Sequence, residues 1–262
     1  MLHRADPDGL VVIAQPTHAW VSGQLARAWG NAGFGPVEPW EEVCLGAEQH
    51  DLGHAAWESA PTLNPATGRP HSFLELPLAE HLRVWSTAGR LALAQGRYPA
   101  LLVSLHGTGL YERRDLGVLP PDQAAAVRAF LERERGFQDE LVASLRRDPR
   151  YAAWATDAAL ARNRRLVAVW DAFSLALCHG PREPRTVGRV PTTDGETALV
   201  LTPDPEAADP LVVSPWPFSR DRVVVAFEGR RLPDTFASEE AMRSALAGAP
   251  WVSFQTVLRP GS

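Results

Sequence analysis

Behind His18 the apolar positions Val21, Leu25 and Trp29 recur at three- and four-residue steps, which predicts a helix over 16–29 with His18 on its inward face. Pro16 suits its first turn and Gly30 its end. The stretch 38–52, entered through Pro36 and Pro39 and closed by Gly53, predicts a second helix that ends just after His50-Asp51. Residues 61–70 are rich in Pro, Asn, Thr and Gly and predict a loop, after which 78–95 and 98–111 return to helical spacing with a break at Gly96. A long amphipathic helix is expected over 120–147 and another over 151–178, stopped by Gly180-Pro181.

The pattern then changes. Pro, Thr, Asp and Glu dominate 184–210, and β-branched runs at 211–214, 222–227 and 251–258 predict strands around one short helix at 238–247. The expected architecture is mostly α: a helical bundle over 1–182, followed by a small β-containing C-terminal unit over 183–262.

With 262 residues, 45% hydrophobic and 22% charged, the chain has the profile of an ordinary globular protein with a full-sized core. All 26 basic residues are arginine, the net charge is −5, and the arginine doublets at 113–114, 164–165 and 230–231 are too short for a nucleic-acid footprint, so no nucleic-acid partner is expected. Cys44 and Cys178 lack the paired spacing of a zinc module and are too few for a disulfide framework. No signal-peptide core or membrane-length apolar window is present, and the expected compartment is the cytoplasm, with no membrane partner.

Four of the eight histidines, His18, His50, His81 and His106, fall in four different expected helices near the apolar stripe. A single inward histidine is more often a hydrogen-bonded core residue than a ligand. The doublet His50-Asp51 changes that balance, as does Asp171 within an otherwise apolar stretch, since a carboxylate buried there is costly unless it is paired or binds a cation.

A histidine, a His-Asp doublet and a distant aspartate, here His18, His50-Asp51 and Asp171, resemble the HD superfamily of helical metal-dependent proteins. With His81 and His106 between them, the set is similar to the six-ligand version of two-metal HD hydrolases and mixed-valent di-iron oxygenases. More closely, Gln15-Pro16-Thr17-His18, His50-Asp51, Trp57-Glu58, Ser104-Leu105-His106 and the Ser214–Phe218 element resemble an uncharacterised bacterial family, domain of unknown function 3891. The resemblance implies an HD-type bundle holding one or two divalent transition metals. His18, His50, Asp51 and Asp171 would hold the first ion, and His81 with His106 the second.

Adjacent helical residues point about 100° apart, so Asp51 is the candidate bridge while His50 serves one ion. Histidine and carboxylate ligands without thiolate suit Fe, Mn, Ni, Co or Zn. Asp51, His54, Asn163 and Arg164 are candidate catalytic residues; for His54, one turn after His50, solvent exposure or a hydrogen bond outside the ligand set is favoured over ligation, and Asn163 and Arg164 face either the cavity or water. The expected function is a metal-dependent phosphohydrolase acting on a small anionic substrate. A di-iron oxygenase and a non-enzymatic, metal-stabilised binding protein stay open as alternatives.

Overall fold

In a computed structural model, which describes residues 1–204 and 210–261, the expected helices are present within a few residues of their expected ends, except that the one expected from 151 starts at Asp157, and a short helix over His54–Glu58 is additional. They are α1 (Gln15–Ala28), α2 (Trp40–Gln49), α3 (His54–Glu58), α4 (Leu78–Ala92), α5 (Arg97–Gly109), α6 (Pro121–Arg146), α7 (Asp157–His179) and α8 (Glu239–Gly248). Their ends follow local chemistry. Pro16 and Pro121 occupy first turns, the Thr156 and Ser238 side chains accept from the backbone N–H of Ala159 and Ala241, and Gly180 closes α7 at a φ of 70°.

The mostly α expectation is overturned by the sheet. The chain is about 48% helical, and a seven-stranded mixed sheet carries much of the rest. The sheet runs in the order β1 (Leu2–Asp6), β2 (Gly9–Ile13), β8 (Val223–Leu232), β9 (Trp251–Pro260), β7 (Pro210–Ser214), β6 (Glu196–Pro203) and β5 (Arg185–Pro191). Neighbours are antiparallel except β7 and β9. A two-stranded ribbon, β3 (Leu63–Asn64) and β4 (Arg69–Pro70), stands apart in the 61–70 segment.

Two sequence signals concealed this sheet. The first hairpin runs only from Leu2 to Ile13, too short to separate a strand from the lead-in to α1. Its β2 then pairs with β8 at Val12–Arg230, a partner no local pattern reveals. In β5 and β6, only Val187, Val190, Pro191, Leu199 and Leu201 are buried, so Thr, Arg and Glu on the outer positions give the segment a loop-like composition.

Along β8, buried and outward positions alternate strictly from Val223 to Gly229, so Val223, Val225 and Phe227 form an inner face against which α1 rests. The helix α7 packs on β5 and β1 as well as on α1, α2 and α5. One apolar core therefore runs from Leu2 and Ile13 through Trp170 and Phe173 to Phe227 and Leu258. Strands from both sides of position 182 enter the same sheet. The Ser214–Phe218 element ties the end of α1 to it: Pro217 accepts from the Gly30 N–H, and Phe218 meets Trp29 edge-on at 5.7 Å.

Candidate metal centre

Helices α1, α3, α5 and α7 and the turn after α2 deliver polar side chains to one place. The buried face of α1 presents His18, the turn after α2 presents His50 and Asp51, α3 opens with His54, α5 presents His106, and α7 presents Asp171. His18, His50, Asp51, His54 and His106 are buried, and Asp171 is half-buried. Gly53 permits the close approach: a Cβ there would stand 2.3 Å from the Val84 carbonyl oxygen of α4.

The hydrogen bonds assign the ring tautomers. His50 Nδ1 lies 2.7 Å from the Ala47 carbonyl and donates to it, which turns Nε2, the nitrogen that can carry a proton or bind an ion, inward 3.6 Å from Asp51 Oδ2 and 3.4 Å from Asp171 Oδ1. His18 Nδ1 lies 2.8 Å from Ser174 Oγ, whose own hydroxyl donates to the Asp171 carbonyl at 2.9 Å. His18 therefore donates to Ser174 through Nδ1 and turns Nε2 inward, hydrogen-bonded to Asp51 Oδ2 at 2.5 Å with Asp171 Oδ1 at 3.8 Å.

Two imidazole lone pairs and two carboxylates facing one point repel one another unless a proton or a cation lies between them. Among the described residues, the donor atoms of His18, His50 and Asp51 lie within 4.8 Å of one another, as do those of His50, His106 and Asp171. Both groups can hold a metal ion, and the nitrogen and oxygen donor set suits a divalent transition metal.

Electrostatics follow the same geometry. Burial opposes the imidazolium of His50, but the carboxylates of Asp51 and Asp171 outweigh it and raise its pKa to about 9. Burial also opposes ionisation of Asp51 and Asp171; the surrounding imidazoles overcome it and hold both below the usual carboxylate range. His106, buried beside His50, is pushed down to about 4 and stays a neutral ligand.

Of the expected ligand set, His18, His50, Asp51, His106 and Asp171 come together, whereas His81 does not join either group. Trp85 Nε1 donates to His81 Nε2 at 3.1 Å, and His81 Nδ1 is hydrogen-bonded to the Tyr111 hydroxyl, so both ring nitrogens are engaged. Burial, with His54 and Arg114 nearby, lowers its pKa to about 4. His54 stands where the second histidine was expected. Its Nδ1 is 3.4 Å from Asp51 Oδ1, and neither ring nitrogen has a hydrogen-bond partner although both are buried. The spacing His50-Asp51-Leu52-Gly53-His54, one helical turn, carried that signal in the sequence.

Asn163 faces elsewhere, donating to the Glu38 carbonyl at 2.7 Å and the Tyr98 hydroxyl at 2.9 Å. Arg164 lies near the centre, paired with Glu112 at 2.5 Å. Glu58, in the segment after the doublet, braces the first hairpin: it lies 2.6 Å from the Met1 ammonium and accepts from the Gln15 N–H.

The centre opens into a cavity of about 320 Å³. Asp51, His54, His81, His106 and Asp171 form its polar floor, Phe73, Leu74, Leu76, Leu78, Leu110 and Leu175 its apolar walls, and Arg114 stands in the lining. Ser174, Tyr111, Trp85 and Arg114 escaped sequence reading because each is an unremarkable residue until its neighbour is known.

Among the described residues no helix is long and apolar enough to cross a membrane. Comparison with curated proteins and with solved structures gives no match. A family model spans the hairpin, all seven helices of the bundle and most of the sheet: over residues 1–234 the chain matches, and belongs to, the family described as protein of unknown function (DUF3891).

Proposed function

We propose that the chain is a metal-dependent hydrolase acting on a small phosphate ester, with a centre of the HD kind. The observation that supports this reading most directly is the convergence of the Nε2 atoms of His18 and His50 with the carboxylates of Asp51 and Asp171 at the floor of a cavity large enough for a small molecule. His18, His50, Asp51 and Asp171 would hold one ion; His106, with the free Asp51 and Asp171 oxygens and His54, would hold or flank a second. A divalent ion in such a site supplies Lewis acidity toward a phosphoryl oxygen and lowers the pKa of a coordinated water.

The protein's own groups divide the remaining work. His54, buried with both nitrogens unengaged, is positioned to take or return a proton at the cavity floor. Arg114 gives the cavity a cation for an anionic substrate, held over the Tyr111 ring at 5.0 Å. Phe73, Leu74, Leu76 and Leu78 exclude water from one side and accommodate an apolar group.

The test is turnover of a panel of phosphomonoesters and phosphodiesters by manganese- or iron-loaded protein under nitrogen, compared with Asp171→Ala. Hydrolysis lost in the variant is the expected result. Turnover that requires ferrous iron and consumes oxygen would replace this reading with the di-iron oxygenase. Absence of turnover in both would leave a metal-stabilised binding protein.

A further inference from the structure

A second cavity, of about 290 Å³, lies on the other side of His106 and Asp171 from the first. The two share His106, Leu110 and Asp171 as a common wall. Their chemistry differs. The first is walled mainly by leucine and phenylalanine, whereas the second is lined by three guanidinium groups, Arg113, Arg164 and Arg165, with Glu112 as the carboxylate outside the centre.

The cleft exists because small residues face each other across it. Gly109 at the end of α5 opposes Ala161 and Ala168 on α7, and a Cβ on Gly109 would lie 3.1 Å from the Arg164 guanidinium. Arg164 is oriented across the opening by Glu112 at 2.5 Å. Like charges accumulate here instead of dispersing. Burial and the proximity of Arg189, Arg113 and Arg164 lower the pKa of Arg165, with Glu196 opposing.

Arg189, in the β-bulge between Val187 and Val190, is close enough to Arg165 to act on it but lies outside the cleft lining and is itself paired with Glu196 at 3.3 Å. Among the described residues Arg164 is paired with Glu112, whereas Arg113 and Arg165 have no ion pair, and two such guanidinium groups beside a third match a ligand with several negative charges at short spacing.

We propose that this cleft is a binding subsite for linked phosphates, so that the substrate is an apolar or aromatic group esterified to a di- or triphosphate. The phosphate chain lies along Arg113, Arg164 and Arg165, the apolar group lies against Phe73 and the leucines, and the phosphate between them sits at His106 and Asp171. Assignment of the bound molecule as substrate rests on the hydrolase reading; the anion subsite itself does not.

The experiment is titration calorimetry of the purified protein with inorganic triphosphate and orthophosphate, with metal content measured on the same samples. The variants are the single Arg113→Glu at an exposed position and the double Arg113→Ala/Arg165→Ala. Wild type is expected to bind triphosphate at least tenfold more tightly than orthophosphate. Each variant should lose at least tenfold in triphosphate affinity at unchanged metal content and melting temperature. Equal affinity for the two anions in wild type, or unchanged triphosphate affinity in Arg113→Glu, would overturn the proposal. Triphosphate binding that depends on these arginines in a protein without hydrolase activity would support the subsite while rejecting the hydrolase reading.

Discussion

His18 and Ser174 are joined by a 2.8 Å hydrogen bond that decides which nitrogen of His18 faces Asp51. Because Ser174 in turn donates to the Asp171 carbonyl and accepts from Ser22 at 2.9 Å, the ring is held by groups that never reach the centre. Ser174→Ala should weaken metal affinity by about 10–100-fold, the usual cost of removing a hydrogen bond that orients a ligating histidine. Competition with a chromogenic chelator measures this. Unchanged affinity would mean that packing alone orients His18.

The metal-free centre should respond to pH in both directions. His50, with its pKa raised to about 9 by the carboxylates against the opposition of burial, stabilises the fold fully below the unfolded value near 6.5, and that contribution is lost as pH rises toward 9. His106 and His81, lowered to about 4 by burial, oppose folding as pH falls from about 6.5 to 4, where the unfolded chain takes up protons that the folded one refuses. Chelator-treated protein should therefore have its highest melting temperature near neutral pH. Bound metal should remove the loss on the alkaline side, since it replaces the proton on His50, and thermal scans from pH 4 to 10 with and without metal would show it.

The two histidines of the cavity floor should behave differently when removed. His54→Gln should reduce turnover by about a hundredfold or more, as expected for loss of a group that carries a proton, while the ion held by His18, His50, Asp51 and Asp171 is retained. His81→Phe leaves the Trp85 N–H and Tyr111 hydroxyl without their partner, so its main effect should be a loss of stability of about 1–3 kcal/mol in urea unfolding. Loss of metal from the His81 variant alone would reverse these roles.

Away from the centre, the carboxylate of Glu134 on α6 is fully buried, with Arg90 Nη1 at 2.6 Å and Ser104 Oγ at 2.9 Å; Gln138 donates to the same serine. This network clamps α6 onto α5 two residues from His106. Glu134→Ala should cost about 2 kcal/mol, because it leaves the buried Ser104 hydroxyl without its acceptor while the exposed Arg90 recovers its hydration. Chemical denaturation measures the loss. A change under 1 kcal/mol would show that water replaces the carboxylate.

The helices were legible because each carries its own evidence: a three-to-four-residue apolar period and a Pro, Thr, Ser or Gly at its ends. The ligands were legible for the same reason, since an inward polar side chain such as Asp171 contradicts its helix face and needs a cause. Periodicity could not say how far α4 rotates against α3, and that rotation turns His81 toward Tyr111 and leaves His54 beside Asp51. The sheet was hidden because its central pairing, β2 with β8, joins segments at opposite ends of the sequence.

That pairing ties the timing of the centre to the last third of the chain. The helix carrying His18 follows β2 directly, is seated on β8, and is held at its far end by Pro217 and Phe218. Closing Val12 onto Arg230 brings together positions about two hundred residues apart, a loop whose entropy is lost before any strand contact repays it. During synthesis His50, Asp51 and His106 can meet within the bundle long before β8 exists. His18 would acquire a fixed position only afterwards, so an ion arriving early would meet an incomplete set of candidate ligands until the sheet had closed.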